Sequence, residues 1–177
     1  SLLLDIKVDV RYLITQKGRV ISKKSRIIAS QQQVVRYDFE SKAEISDKSQ
    51  NAILKQFKKI VKNYDTILLS DYGKGVLTSN LTQSLIKIAN KNNIKILVDP
   101  KGLNYSKYKG AFLLTPNKKE ASEATNIDIT DNISLNQSIL KLKELSDLTI
   151  SIITLSEQGV AIFDTELRIH PTVAREV

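Results

Sequence analysis

From residue 52 onward the chain alternates amphipathic helices with short strands that are apolar on both faces, and this alternation most narrows the folds open to it. In AILKQFKKIVK, Ile53, Leu54, Phe57, Ile60 and Val61 recur at helical spacing, with Lys55, Lys58, Lys59 and Lys62 between them. Further helices are predicted over 79–90, with Ser79 or Asn80 placed to cap it, over 117–125 behind a proline, and over 135–146. TILLSD, IKILVD, AFLLTPN and LTISIITL read as strands, and GVAIFD with ELRIHP as a hairpin. Uninterrupted apolar strands separated by helices imply a parallel sheet covered by helices. The expected body is α/β: three layers, with helices on both faces of a parallel sheet.

The texture before residue 40 differs. VDVRYLI, GRVIS, SRIIAS and QQVVRYDF alternate polar and apolar residues and each reads as a strand, with Gly18 in a hairpin turn. The expected organisation is the end of a body strand over 1–10, a small β flap over 11–39, and the α/β body over 40–177, entered through a polar connector at 40–51. Ser1 starts abruptly on an apolar run and Val177 stops inside a sheet-like segment, so the chain is expected to be a fragment.

Composition removes several function classes. The 177 residues include no cysteine and one histidine, which excludes disulfides, thiolate metal sites and a histidine zinc cluster. No apolar run is long enough to span a bilayer, and the acid after SLLL argues against a signal peptide, so a cytoplasmic protein without membrane association is expected. The net charge of +8 raises nucleic-acid binding. The lysines, however, are scattered over solvated helix faces, without interleaved aromatics for base stacking, so no nucleic-acid partner is expected. Attraction to a small anion remains compatible with the charge.

The polar groups collect where the strands end. ILLS leads into Asp71-Tyr72-Gly73-Lys74-Gly75, ILV into Asp99-Pro100-Lys101-Gly102, FLL into Thr115-Pro116-Asn117, and IITL into Ser156-Glu157-Gln158-Gly159. Ligands of open α/β sheets bind beyond the carboxyl ends of the strands. Lysines, glycines and hydroxyls gathered there suit a phosphorylated or polyhydroxy ligand, because glycine lets backbone N–H groups approach an anion that lysine neutralises. Each exit alone is also accounted for as a tight turn; two Asp…Lys-Gly exits in one sheet favour a site at Asp71, Lys74 and Lys101. At Asn117–Glu120 two readings stand: a helix capping box, or a carboxylate that orders a water on Mg²⁺ beside nucleotide phosphates. No P-loop or G-x-G-x-x-G fingerprint is present. His170 has no nucleophile elbow near it and reads as structural.

The series S-D-Y-G-K-G, V-D-P-K-G, L-T-P-N-x-x-E and T-x-S-E-Q-G, in this order and spacing, resembles the ribokinase-like (PfkB-type) carbohydrate kinases. Within them it is most similar to the D-glycero-β-D-manno-heptose 7-phosphate kinase domains of bacterial ADP-heptose synthesis. SRIIASQQQVVRYDFE in the flap and the tail HPTVAREV share the narrower resemblance, with Gln31 standing where the family usually has Asn. The resemblance implies ATP and Mg²⁺ as cofactors. It assigns Asn117, Lys118, Lys119 and Glu120 to the nucleotide and, through water, the Mg²⁺; Thr154, Ser156 and Gly159 to the nucleotide phosphates; and Lys101 to the same side. Asp71, Lys74 and Arg36 fall on the side of the sugar phosphate substrate.

The family's D-T-x-G-A-G-D, with its general base and anion hole, is expected after Val177, and an amino-terminal sugar-binding segment before Ser1. The fragment itself is therefore expected to be inactive, because phosphoryl transfer needs that base and that electrostatic cradle. A nucleotidyltransferase domain follows the kinase domain in some members. Exposed flap edges and the resemblance both imply a homodimer through the flap. Two other readings remain: a kinase of another sugar, and a non-catalytic ligand-binding module.

Overall fold

The structure, a computed structural model, describes residues 2–172. Ser1 and the end of the tail motif, Val173 to Val177, lie outside the described residues. A single helical turn, α1 (Leu2–Asp5), occupies the place expected for the end of a body strand. The flap has two strands rather than four: β1 (Lys23–Ala29) and β2 (Gln32–Phe39) pair antiparallel. Their hairpin turns at Ser30 and Gln31, with Ser30 in the left-handed region at φ 56°. Gly18 does lie in a turn, at φ 80°, but it joins irregular segments.

Residues 8–22 form no strand because side chains, not a backbone ladder, hold this segment to the body. Gln16 Oε1 accepts from Ser46 N at 2.9 Å and from Ser49 Oγ at 2.8 Å. The Arg19 guanidinium donates to the Ala43 and Lys74 carbonyls. Alternation in this stretch was a surface pattern without a pairing partner.

The connector is shorter than expected, since α2 (Asp47–Ile60) begins inside it with Ser46 as its N-cap. Strand β3 (Thr66–Ser70) leads to α3 (Ser79–Lys91), which is capped by Thr78 rather than by Ser79 or Asn80; the Thr78 hydroxyl accepts from Leu81 N at 3.1 Å. Then come β4 (Lys95–Asp99), a 3₁₀ turn (Tyr105–Tyr108), and the two-residue β5 (Leu113–Leu114). Helices α4 (Lys118–Thr125) and α5 (Asn132–Ser146) precede β6 (Ile150–Thr154). Two antiparallel strands, β7 (Val160–Phe163) and β8 (Leu167–His170), complete a six-stranded sheet ordered β3-β4-β5-β6-β7-β8.

Register explains the layering. Leu69 pairs with Val98, Val98 with Leu114, Leu114 with Ser151, and Ile153 with Ala161, so these residues share one face, and all are buried. The four parallel strands follow one another in chain order, and right-handed crossovers then put α3, α4 and α5 on that same face. Leu81, Leu85, Ile139 and Leu142 join the same core. The alternate residues Leu97, Leu113 and Ile152 are only partly covered, and Leu68 is 64% exposed. The α/β architecture is as expected, and the apolar residues of α2 to α5 pack into the core on this face.

Reversal from parallel to antiparallel order happens at Gly159, at φ 100°, where an added Cβ would lie 1.9 Å from the His170 carbonyl oxygen. Gly159→Ala is expected to destabilise the fold by about 2 kcal/mol or more, from left-handed strain and this overlap together. The shift of the urea unfolding midpoint checks it.

Candidate functional site

All four strand exits meet at one edge of the sheet, and a buried carboxylate joins the first two. Asp71 is 6% exposed. Its N–H donates to the Asp99 carbonyl at 2.9 Å, extending the ladder by one residue. Asp71 Oδ1 accepts from Gly73 N at 2.8 Å, while Oδ2 accepts from Lys107 Nζ at 2.5 Å and the Tyr108 hydroxyl at 2.7 Å. The Tyr108 hydroxyl in turn accepts from Lys101 N at 3.1 Å. Tyr105 and Tyr108 stand one 3₁₀ turn apart, with their rings edge to face at 5.9 Å. Burial pushes the Asp71 carboxyl up, but the donors Lys107, Tyr108 and Gly73 outweigh it and hold the group below the usual carboxylate range. Burial likewise pushes the Tyr108 hydroxyl up. Neither Lys107 nor Tyr108 belongs to a sequence motif; only the spacing of two aromatics in YSKY hinted at a packed turn.

The glycines of G-K-G serve packing. Gly73, at φ 64°, leaves room for the Lys101 side chain, whose Cγ would lie 3.2 Å from an added Cβ. Gly75, at φ 74°, lies against the connector: an added Cβ would meet the Ala43 carbonyl oxygen at 2.2 Å. The Gly75 carbonyl accepts from Ile45 N at 2.9 Å. Between them, Lys74 forms an ion pair with Glu40 at the foot of the flap. Arg36, on β2, pairs with Asp38 at 2.6 Å.

Asp71, Lys101, Asn117, Glu120 and Thr154 line a single cleft of about 360 Å³, together with Tyr72, Asp99, Pro100 and Thr115. Asn117 and Thr154 are also joined by an isolated parallel bridge, which carries the β5 side of the sheet to the start of α4. There the capping box is complete: Asn117 Oδ1 accepts from Glu120 N at 2.9 Å and Glu120 Oε2 from Asn117 N at 3.1 Å. The other carboxylate oxygen, Oε1, accepts from Lys101 Nζ at 2.7 Å. That bond, and then the charges of Glu120 and Asp99, push the Lys101 ammonium's pKa up. Both readings of Asn117–Glu120 thus fit one geometry, since the cap orients a carboxylate whose outer oxygen faces the cleft.

The remaining predicted residues lie elsewhere. Lys118 lines a neighbouring cavity of about 260 Å³ with Asp131, Leu155 and Gln158. Lys119 points outward toward Glu123, 3.8 Å away. Ser156, left-handed at φ 53°, and Gly159 form the loop after β6, where the Ser156 carbonyl accepts from Thr172 Oγ1. Lys74 and Arg36 do not line the cleft; Lys74 pairs with Glu40 of the connector and Arg36 with Asp38 of the flap. Tyr72, Asp99, Pro100 and Thr115, which stand at the strand exits in the sequence but were given no role, also line the cleft, and sequence reasoning missed Lys107 and Tyr108, which support it.

A polar cleft at the strand exits, beside a capped helix start, is where open α/β sheets bind small ligands. The whole chain, residues 1–177, matches the pfkB family carbohydrate kinases, and it belongs to that family. It is 61% identical over 177 residues to the bifunctional protein HldE of Aliarcobacter butzleri, covering 100% of this chain and 37% of that protein. The chain thus spans a little over a third of the length of the curated relatives it matches. In fold it is similar to the tetrameric inhibited form of phosphofructokinase-2 from Escherichia coli (TM-score 0.65, 19% identity, 95% of this chain and 56% of that one). It is also similar to Arabidopsis thaliana ribokinase complexed with ribose and ATP (TM-score 0.58, 15% identity, 78% and 45%).

Replacing Asp71 by Asn removes the acceptor of two charged or buried donors. Asp71→Asn is expected to cost about 2–3 kcal/mol at neutral pH, because it leaves the Lys107 ammonium unpaired. The Asp71 carboxyl is depressed in the folded state, so its contribution is fully present above the ordinary value of 3.8 and is lost as pH falls through the lower folded value. The stability gap between wild type and variant should therefore close in acid, as measured by denaturant titration at a series of pH values.

Proposed function

We propose that the chain is the central part of an ATP-dependent kinase that phosphorylates D-glycero-β-D-manno-heptose 7-phosphate to the 1,7-bisphosphate, on the route to ADP-heptose and the lipopolysaccharide core. The observation that carries this reading is the convergence of Lys101, Asn117, Glu120 and Thr154 on one cleft at the strand exits. Membership of the carbohydrate kinase family supports the reaction class, and similarity to HldE proteins supports the sugar.

In this reading Lys101, Asn117, Lys118, Thr154, Ser156 and Gly159 hold the nucleotide, with Lys119 at the outer edge of the same helix start. Glu120 orders water on Mg²⁺, which when bound offsets phosphate charge. A lone carboxylate suits that task, because Mg²⁺ keeps several waters. Lys74 and Arg36 serve the sugar phosphate from the flap side, and Asp71 acts as a support for the two loops. Phosphoryl transfer is a property of the whole protein, since the resemblance puts the general base beyond Val177. The setting is cytoplasmic, without nucleic-acid or membrane partners. Among the described residues no helix is long and apolar enough to cross a membrane.

With the intact protein, ATP and the heptose 7-phosphate should yield ADP and the bisphosphate; turnover of a different sugar phosphate in preference would move the assignment within the family, and no turnover of any would favour a binding module. Glu120→Gln should reduce activity about 10- to 100-fold, as loss of an outer-shell partner does. Lys74→Ala should raise KM for the sugar phosphate about tenfold while leaving KM for ATP unchanged.

The flap supports a homodimer. Every residue of β1 and β2 is exposed, including Ile27, Ile28, Val34, Val35 and Tyr37. A two-stranded hairpin is at best marginal alone in water. Ile28→Lys is expected to give a monomer in sedimentation velocity at concentrations where the wild type is dimeric.

A further inference from the structure

We propose that the Lys101 ammonium is a resident counter-ion of Glu120, holding the position of a hydrated divalent cation, and that the cation displaces it toward the anion that the cation accompanies. This inference rests on the cation-binding reading of Glu120 above and adds to it a competitor built into the chain.

The two partners differ in freedom. Glu120 is fixed, because its side chain is mostly buried and Oε2 is tied to Asn117 N within the capping box. Lys101 is more than half exposed, and only its ammonium makes the contact, at 2.7 Å to Oε1. Its root does not move: the Lys101 N–H donates to the Tyr108 hydroxyl, which is locked to Asp71. A fixed root and a free, four-carbon stem make a side chain that changes partner without moving the loop.

The charges in the cleft explain why an exchange should occur. Asp71 also lines it, but both its oxygens are already committed to donors from the chain. Among the described residues Asp99 and Glu120 are the remaining carboxylates that line the cleft, and Lys101 is the one cation lining it with them. An ammonium there compensates the carboxylates while no other cation is bound. A dication arriving at Glu120 repels it at a few ångströms. Among the described residues no three His, Cys, Asp or Glu side chains gather to hold a metal. A cation at Glu120 therefore depends on water and on the anion it brings, and a resident competitor weighs heavily. The consequence is ordered binding: the cation enters well only with its anion, which takes over the displaced lysine.

Mn²⁺ binding to the intact protein, followed by electron paramagnetic resonance, tests this without turnover. Lys101→Met keeps the stem and removes the charge; Glu120→Gln keeps an N3 side chain able to complete the capping box. Without nucleotide, K101M should bind Mn²⁺ about two- to fivefold tighter than wild type, the range expected for losing a partly exposed ion pair. With ATP present that advantage should vanish or reverse, because the anion has lost its lysine. Equal or weaker Mn²⁺ binding by K101M in the absence of nucleotide overturns the exchange. If E120Q binds Mn²⁺ as wild type does, the cation reading of Glu120 falls as well; if E120Q weakens binding but K101M does not strengthen it, only the exchange fails.

Discussion

Where the first parallel strand leaves the sheet, Asp71 takes three donors into a nearly solvent-free pocket, and the site depends on that network. Tyr108 connects it to the Lys101 backbone, so two loops that are separate in sequence become one rigid rim. An aspartate buried among apolar rings would be costly without such partners. With Lys107 and Tyr108 in place it stays ionised, and its charge is used for positioning.

The two lysine-glycine exits then divide in role. In the first, the glycines and Lys74 attach the flap and connector to the body, through Ala43, Ile45 and Glu40. In the second, Lys101 faces the cleft and meets Glu120. Similar local chemistry thus attaches the connector at one exit and faces the cleft at the other. The difference lies in which strand precedes each loop: β3 is the edge of the sheet nearest the connector, whereas β4 lies inside it.

Much of the body was legible in the sequence because hydrophobic periodicity reports burial directly. The strands at 66–70, 95–99 and 150–154 and the helices at 79–91, 118–125 and 132–146 sit within a few residues of their expected bounds. Capping residues were harder to read: Leu81 N donates to the Thr78 hydroxyl and Ser49 N to the Ser46 hydroxyl, and many neighbouring polar residues resemble these caps in sequence. The flap was overread. Alternation in VDVRYLI and GRVIS is necessary for a half-buried strand but does not supply a partner, and Gln16 and Arg19 hold that segment to the body instead.

Sequence by itself determined that four strand exits carrying lysine, glycine, asparagine and glutamate would gather at one edge, because period and spacing fix strand direction and order of loops. It also determined the capping box at Asn117 and Glu120, whose partners are three residues apart. Only the tertiary structure decided which partner each of those polar groups takes within the chain. Lys74 is engaged by Glu40, 34 residues away, and Asp71 by Tyr108, 37 residues away. Contacts between distant segments leave no periodic trace, and so the division between support and site appears only when the chain is folded.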